Sequence, residues 1–148
     1  MSAQINIAAL TCQLTHLVAL STHSGEPETI LRQDKPLELQ ATVEFGGSGA
    51  IALMPLELTI RLDFYARALG TGEVIELGST SLKTMTDQFT YIPSLKLSKG
   101  AVKANLLPEK IYSISAVLRV GAPEGPSFIH GFIDGLTVEV YNPVCNRT

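Results

Sequence analysis

Leu56-Glu57-Leu58-Thr59-Ile60-Arg61-Leu62-Asp63-Phe64-Tyr65-Ala66-Arg67 carries an apolar side chain at every even position and a polar or amphipathic one at every odd position. A repeat of two is that of a β-strand with one dry and one wet face. Leu37 to Phe45 repeats the pattern: Leu37, Leu39, Ala41, Val43 and Phe45 alternate with Glu38, Gln40, Thr42 and Glu44. Parallel strands are generally covered on both faces and read as unbroken apolar runs, so half-wet strands indicate an antiparallel sheet packed on one side. Such a sheet needs a second apolar sheet opposite it. The expected fold class is therefore all-β, an antiparallel β-sandwich of seven to nine strands.

At 148 residues the chain is expected to form one sandwich domain spanning 1–148, large enough to bury a core without metal or disulfide staples. Glycine and proline punctuate it into short units at the spacing of an all-β domain. Ile5 to Ser21 fits a strand better than a helix, although Ile7, Leu10, Leu14 and Leu17 would also share a helix face. Residues 22–36 read as a long loop with a short extended piece at Ile30–Leu31. Gly46-Gly47-Ser48-Gly49 lacks the Lys-Ser/Thr and the strand-to-helix setting of a phosphate cradle and reads as a flexible turn. Behind it Ile51, Leu53 and Met54 are either tucked under the sandwich end or part of a contact patch, and they are the candidate interface residues.

Further along, Gly70-Thr71-Gly72 turns the chain into a return strand, Glu73–Lys83, interrupted at Gly78. Gln88–Ile92 and Leu95–Leu97 are short pieces broken by Pro93. Tyr112–Val120 and Phe128–Tyr141 form a terminal hairpin, and residues 142–148 read as a flexible tail.

The formal net charge of −3 gives no global attraction to nucleic acid or to an anionic membrane, and neither is expected as a partner. The basic stretch Lys83, Lys96, Lys99, Lys103 and Lys110 contains no arginine and suits a guarded strand edge or a solvated loop. Residues 5–20 lack a basic leader and are interrupted by Asn6, Gln13 and His16, so they resemble neither a signal peptide nor a spanning helix, and a cytoplasmic location is expected. Cys12 and Cys145 are then expected to be free thiols, although a bridge between first and last strands is sterically conceivable.

Just before the terminal hairpin stands Leu106-Leu107-Pro108-Glu109-Lys110-Ile111-Tyr112. The spacing Leu-x-Pro-x-x-x-Tyr followed by an alternating strand resembles the tyrosine corner of fibronectin type III and related immunoglobulin-like domains. The resemblance implies an immunoglobulin-like sandwich in which Leu106 and Pro108 shape the corner. Tyr112 would bury its ring and return its hydroxyl to nearby backbone. The chain departs from that pattern in having no tryptophan.

Convergent chemistry is sparse. In an extended strand His130 and Asp134 share a face but stand about 13 Å apart, unless a bulge at Gly131 shortens the span. They are the residues an enzyme would use, and no catalytic residue is assigned. His16, His23 and His130 are scattered, so no metal and no cofactor is expected. The wet face of the Leu56–Arg67 strand presents Arg61, Tyr65 and Arg67 as a shallow small-ligand or carbohydrate surface, against the plainer reading of cross-strand ion pairs. The leading expectation is a noncatalytic interaction or assembly module whose partner is another protein or a second copy of the chain.

Overall fold

The computed structural model describes residues 9–22, 25–97 and 106–141. Among the described residues nine strands form in chain order: β1 (Thr11–Ser21), β2 (Ile30–Arg32), β3 (Leu37–Gly46), β4 (Thr59–Ala68), β5 (Val74–Lys83), β6 (Thr90–Tyr91), β7 (Ser94–Leu97), β8 (Lys110–Gly121) and β9 (Ser127–Tyr141). Between β3 and β4 lie one short helix, α1 (Ser48–Leu53), and a 3-10 turn at Met54–Leu56. One sheet has β3 at its centre, paired antiparallel with β1 on one side and with β6 and β7 on the other. The second runs β2-β9-β8-β4-β5, antiparallel except for the three-residue parallel pairing of Ile30–Arg32 with Glu139–Tyr141.

Both sheets turn their alternating apolar rows to one core. Leu39, Ala41 and Val43 of β3 face Ile60, Leu62 and Phe64 of β4, with Ile114, Ala116 and Leu118 of β8 in the same cluster. The result is the expected all-β sandwich.

Several sequence expectations need adjustment. Alternation from Leu56 does not mean strand from Leu56: Pro55 sits in the first turn of the 3-10 segment and Glu57 is left-handed (φ 53°), so β4 starts at Thr59 and Leu56 is left exposed. The glycine-rich turn continues into α1, where a flexible loop was expected. The interruption at Gly78 is a bulge: Phe64 pairs with Gly78 but Tyr65 with Glu76, leaving Leu77 as the extra residue. Gly78 has φ 139°, a backbone region that side-chain-bearing residues avoid. The loop 22–36 holds the short extended piece as β2, and the Pro93 break separates β6 from β7.

The corner forms in the described chain. Tyr112 is buried, and its hydroxyl accepts the Leu107 N–H at 2.8 Å. Leu106 is buried beside it, and Glu109 takes a left-handed conformation after Pro108. Cys12 is half-buried against the core, and burial pushes its thiol pKa up. Ile5, His23, Lys99, Lys103, Cys145 and the 142–148 segment lie outside the described residues, as does any pairing of the two cysteines.

Candidate functional site

The outer face of the five-stranded sheet gathers most of the candidate residues, because its strand pairing brings to one side odd positions of β4 and β8 together with even positions of β9 up to Asp134 and odd ones beyond the register shift. Registers arrange them in rows across the sheet. The first row is Ser81, Arg61, Arg119 and His130; the second is Ser79, Asp63, Val117 and Phe132. Glu76, Tyr65 and Ser115 form a third row, with Asp134 at its end on β9. Arg67 and Ser113 continue into a fourth with Thr137.

Asp63 departs most from expectation. It occupies a wet-face position yet is only 6% exposed, because two guanidinium groups close over it. Arg61 Nε donates to its Oδ1 at 3.1 Å, and Arg119 Nη1 donates to its Oδ2 at 3.0 Å. Arg61 and Arg119 are direct cross-strand neighbours, an unfavourable like-charge placement that the shared carboxylate offsets. A shallow depression of about 290 Å³ lies beside this clamp, lined by Arg61, Asp63, Tyr65, Glu76, Ser79 and Arg119.

Thus Arg61 and Tyr65 meet in one depression, whereas Arg67 lines a smaller one with Ser113, Ser115, Phe132 and Asp134. Arg119 and the closure of Asp63 were missed. The alternation of Tyr112, Ile114, Ala116 and Leu118 already turned Arg119 outward, but the register that sets it opposite Arg61 is not written locally.

His130 and Asp134 do share the outer face, with Phe132 between them. Residues Ile129 to Ile133 pair with β8 in unbroken register, and the bulge falls at Asp134–Gly135, where Gly135 has φ 98°. Gly131 therefore does not shorten the span, and the depression that Asp134 lines does not include His130. Among the described residues no group of three or more His, Cys, Asp or Glu is placed to hold a metal ion. No helix there is long and apolar enough to cross a membrane.

The three candidate interface residues separate. Ile51 is 65% exposed and lines a shallow apolar hollow with Phe45 and Phe89; Leu53 is half-buried against the core. Met54 is fully buried, so it offers no surface to a partner: its carbonyl accepts the Thr84 hydroxyl at 2.9 Å, and its sulfur lies 3.3 Å from the Tyr91 hydroxyl.

The largest exposed apolar groups on the outer face are instead on β9: Phe128 (53% exposed) and Phe132 (63%). Among the described residues β9 has a hydrogen-bonded strand on its outer side only at Glu139–Tyr141; from Ser127 to Val138 that edge joins no ladder, and β1 of the other sheet passes close to it, with Leu14 near Gly131.

No protein-family model matches the chain, and no curated protein matches it. Among solved structures it is similar to the Pseudomonas fluorescens alkylpurine DNA glycosylase AlkC bound to DNA containing an abasic site analog, with 11% identity and a TM-score of 0.45 over 88% of this chain and 30% of that one. It is also similar to AggA, the major subunit of aggregative adherence fimbriae type I from Escherichia coli (9%, 0.40, covering 96% and 99%). A third is Spo0M, a sporulation control protein from Bacillus subtilis (9%, 0.41, covering 93% and 50%). The chain thus spans less than a third of AlkC and half of Spo0M. Likeness at this level carries no inference about activity or partners.

Proposed function

We propose that this chain is a noncatalytic assembly module that associates with copies of itself. The observation that carries the reading is the β9 edge from Ser127 to Val138, which has no hydrogen-bonded strand beside it among the described residues and carries the exposed Phe128 and Phe132. Unpaired backbone N–H and C=O groups flanked by aromatic side chains are the ingredients of strand addition, in which main-chain hydrogen bonds supply affinity and side chains supply register. An edge of this kind is commonly blunted by lysine; this stretch has none, while β5 ends in Lys83 and β7 carries Lys96.

The scaffold we assign to it is immunoglobulin-like. The order β2-β9-β8-β4-β5 opposite β1-β3-β7 supports that assignment, as does the Tyr112 hydroxyl returning to Leu107 at the start of the penultimate strand. Light scattering coupled to size-exclusion chromatography, run across a wide concentration range, tests the function: a defined oligomer is expected, and a strict monomer throughout overturns it.

One observation favours a second reading, a small-ligand site. The Asp63 clamp holds Arg61 and Arg119 beside Tyr65 and Ser79 while using only part of their hydrogen-bonding capacity. A ligand there would raise thermal stability, and Tyr65→Ala would abolish the gain.

A further inference from the structure

We infer that the β9 edge pairs antiparallel with β9 of a second copy, about a twofold axis at Phe132. The inference rests on the assembly reading and adds to it the strand, the partner and the register. Antiparallel self-pairing keeps the sum of paired residue numbers constant, so each possible axis fixes every facing pair. With the axis at Phe132 the two Phe132 rings meet, and His130 of each copy faces Asp134 of the other.

All three side chains lie on the outer face of β9, where burial alternates between exposed His130, Phe132 and Asp134 and half-buried Ile129, Gly131 and Ile133. His130 and Asp134 are the only ionisable residues of Ser127–Val138, and this register satisfies both at once. The imidazole N–H of His130 can donate to the facing carboxylate whether the ring is neutral or charged.

Complementarity extends beyond the edge strand. The row Arg61, Arg119, His130 of one copy would continue into Asp134, Ser115, Tyr65 and Glu76 of the other, so a cationic row meets an acidic one. The second row joins its own image, Asp63-Val117-Phe132 to Phe132-Val117-Asp63. The bulge at Asp134–Gly135 twists the edge and would discourage a long intruding strand. The symmetric ladder needs only His130 to Asp134, and of these His130 to Ile133 keep unbroken register with β8.

Charge exchange tests the register. Asp134→Lys should weaken dimerisation by about tenfold or more, since both symmetric pairs are lost together. His130→Asp alone should do likewise by setting carboxylates face to face. The double variant His130→Asp/Asp134→His, which restores both pairs in mirrored form, should recover the dimer. Independently, Phe132→Cys in a Cys12→Ser/Cys145→Ser background should give a disulfide-linked dimer under mild oxidation.

Circular dichroism confirms that each variant is folded. An oligomer indifferent to Asp134→Lys, one not rescued by the double exchange, or one that fails to cross-link at position 132 overturns the register while leaving self-association standing. A wild-type chain that stays monomeric overturns the assembly reading and this inference together.

Discussion

The Tyr112 hydroxyl accepts one bond from the Leu107 N–H, and its ring is buried beneath the corner. Tyr112→Phe keeps the apolar burial and removes the acceptor, which should cost about 1 kcal/mol in urea denaturation without changing the m-value. A loss of several kcal/mol would mean that the ring itself had shifted. Asp63 is governed by charge. Asp63→Asn keeps the shape of the side chain but leaves Arg61 and Arg119 opposed across β4 and β8 with no anion between them. Because both guanidinium groups are about half exposed, the expected cost is about 1–2 kcal/mol, below that of a fully buried pair. The deficit should shrink in 1 M salt, where screening at a Debye length of about 3 Å relieves the repulsion. Adding Arg61→Gln should be better tolerated in the Asp63→Asn background than in the wild type, measured as a double-mutant cycle.

Between elements, Thr84 just beyond β5 is the stitch that holds α1 and the 3-10 turn to the sandwich. Its buried hydroxyl donates to the Met54 carbonyl at 2.9 Å and accepts the Leu58 N–H at 2.8 Å. Thr84→Val is nearly isosteric and strands both backbone groups, so it should cost about 1–3 kcal/mol by chemical denaturation. Amide exchange at Leu58 should speed up with it. This stitch was not legible in the sequence, since a threonine after a strand has no local mark of a partner 30 residues back. What was legible is what repeats locally: the alternation of β3 and β4, the Pro93 break and the Leu106–Tyr112 corner. Alternation failed where local geometry overrode it, at Leu56 ahead of the left-handed Glu57 and at Asp63 under its two arginines. The outer face was half visible for the same reason. Arg61, Tyr65 and Arg67 share one strand and could be read together, whereas Arg119 and Phe132 join them only through register.

At the scale of the molecule, pairing is dominated by partners distant in sequence: Thr11 with Gly46, Leu37 with Leu97, and Ile30 with Glu139. Closing such loops costs entropy before the contacts repay it, so refolding should take milliseconds to seconds, the range of all-β sandwiches. Tyrosine fluorescence in stopped flow can follow it, as the chain has no tryptophan. The order of events follows from the same separations. β8 and β9 form a hairpin and β4 and β5 another, so the β4-β8 core around Leu118 can assemble while β2 is still free. The parallel pairing of β2 with the end of β9 spans the longest loop and should form last. Leu31 is buried on β2, and Leu31→Ala should destabilise by about 2–4 kcal/mol. Nearly all of that loss should fall on the unfolding rate, giving a φ-value below about 0.3. Leu118→Ala, in the centre of the sheet, should slow folding instead, with a clearly higher φ-value. Equal φ-values at the two positions would mean that β2 is already paired with β9 when the core condenses.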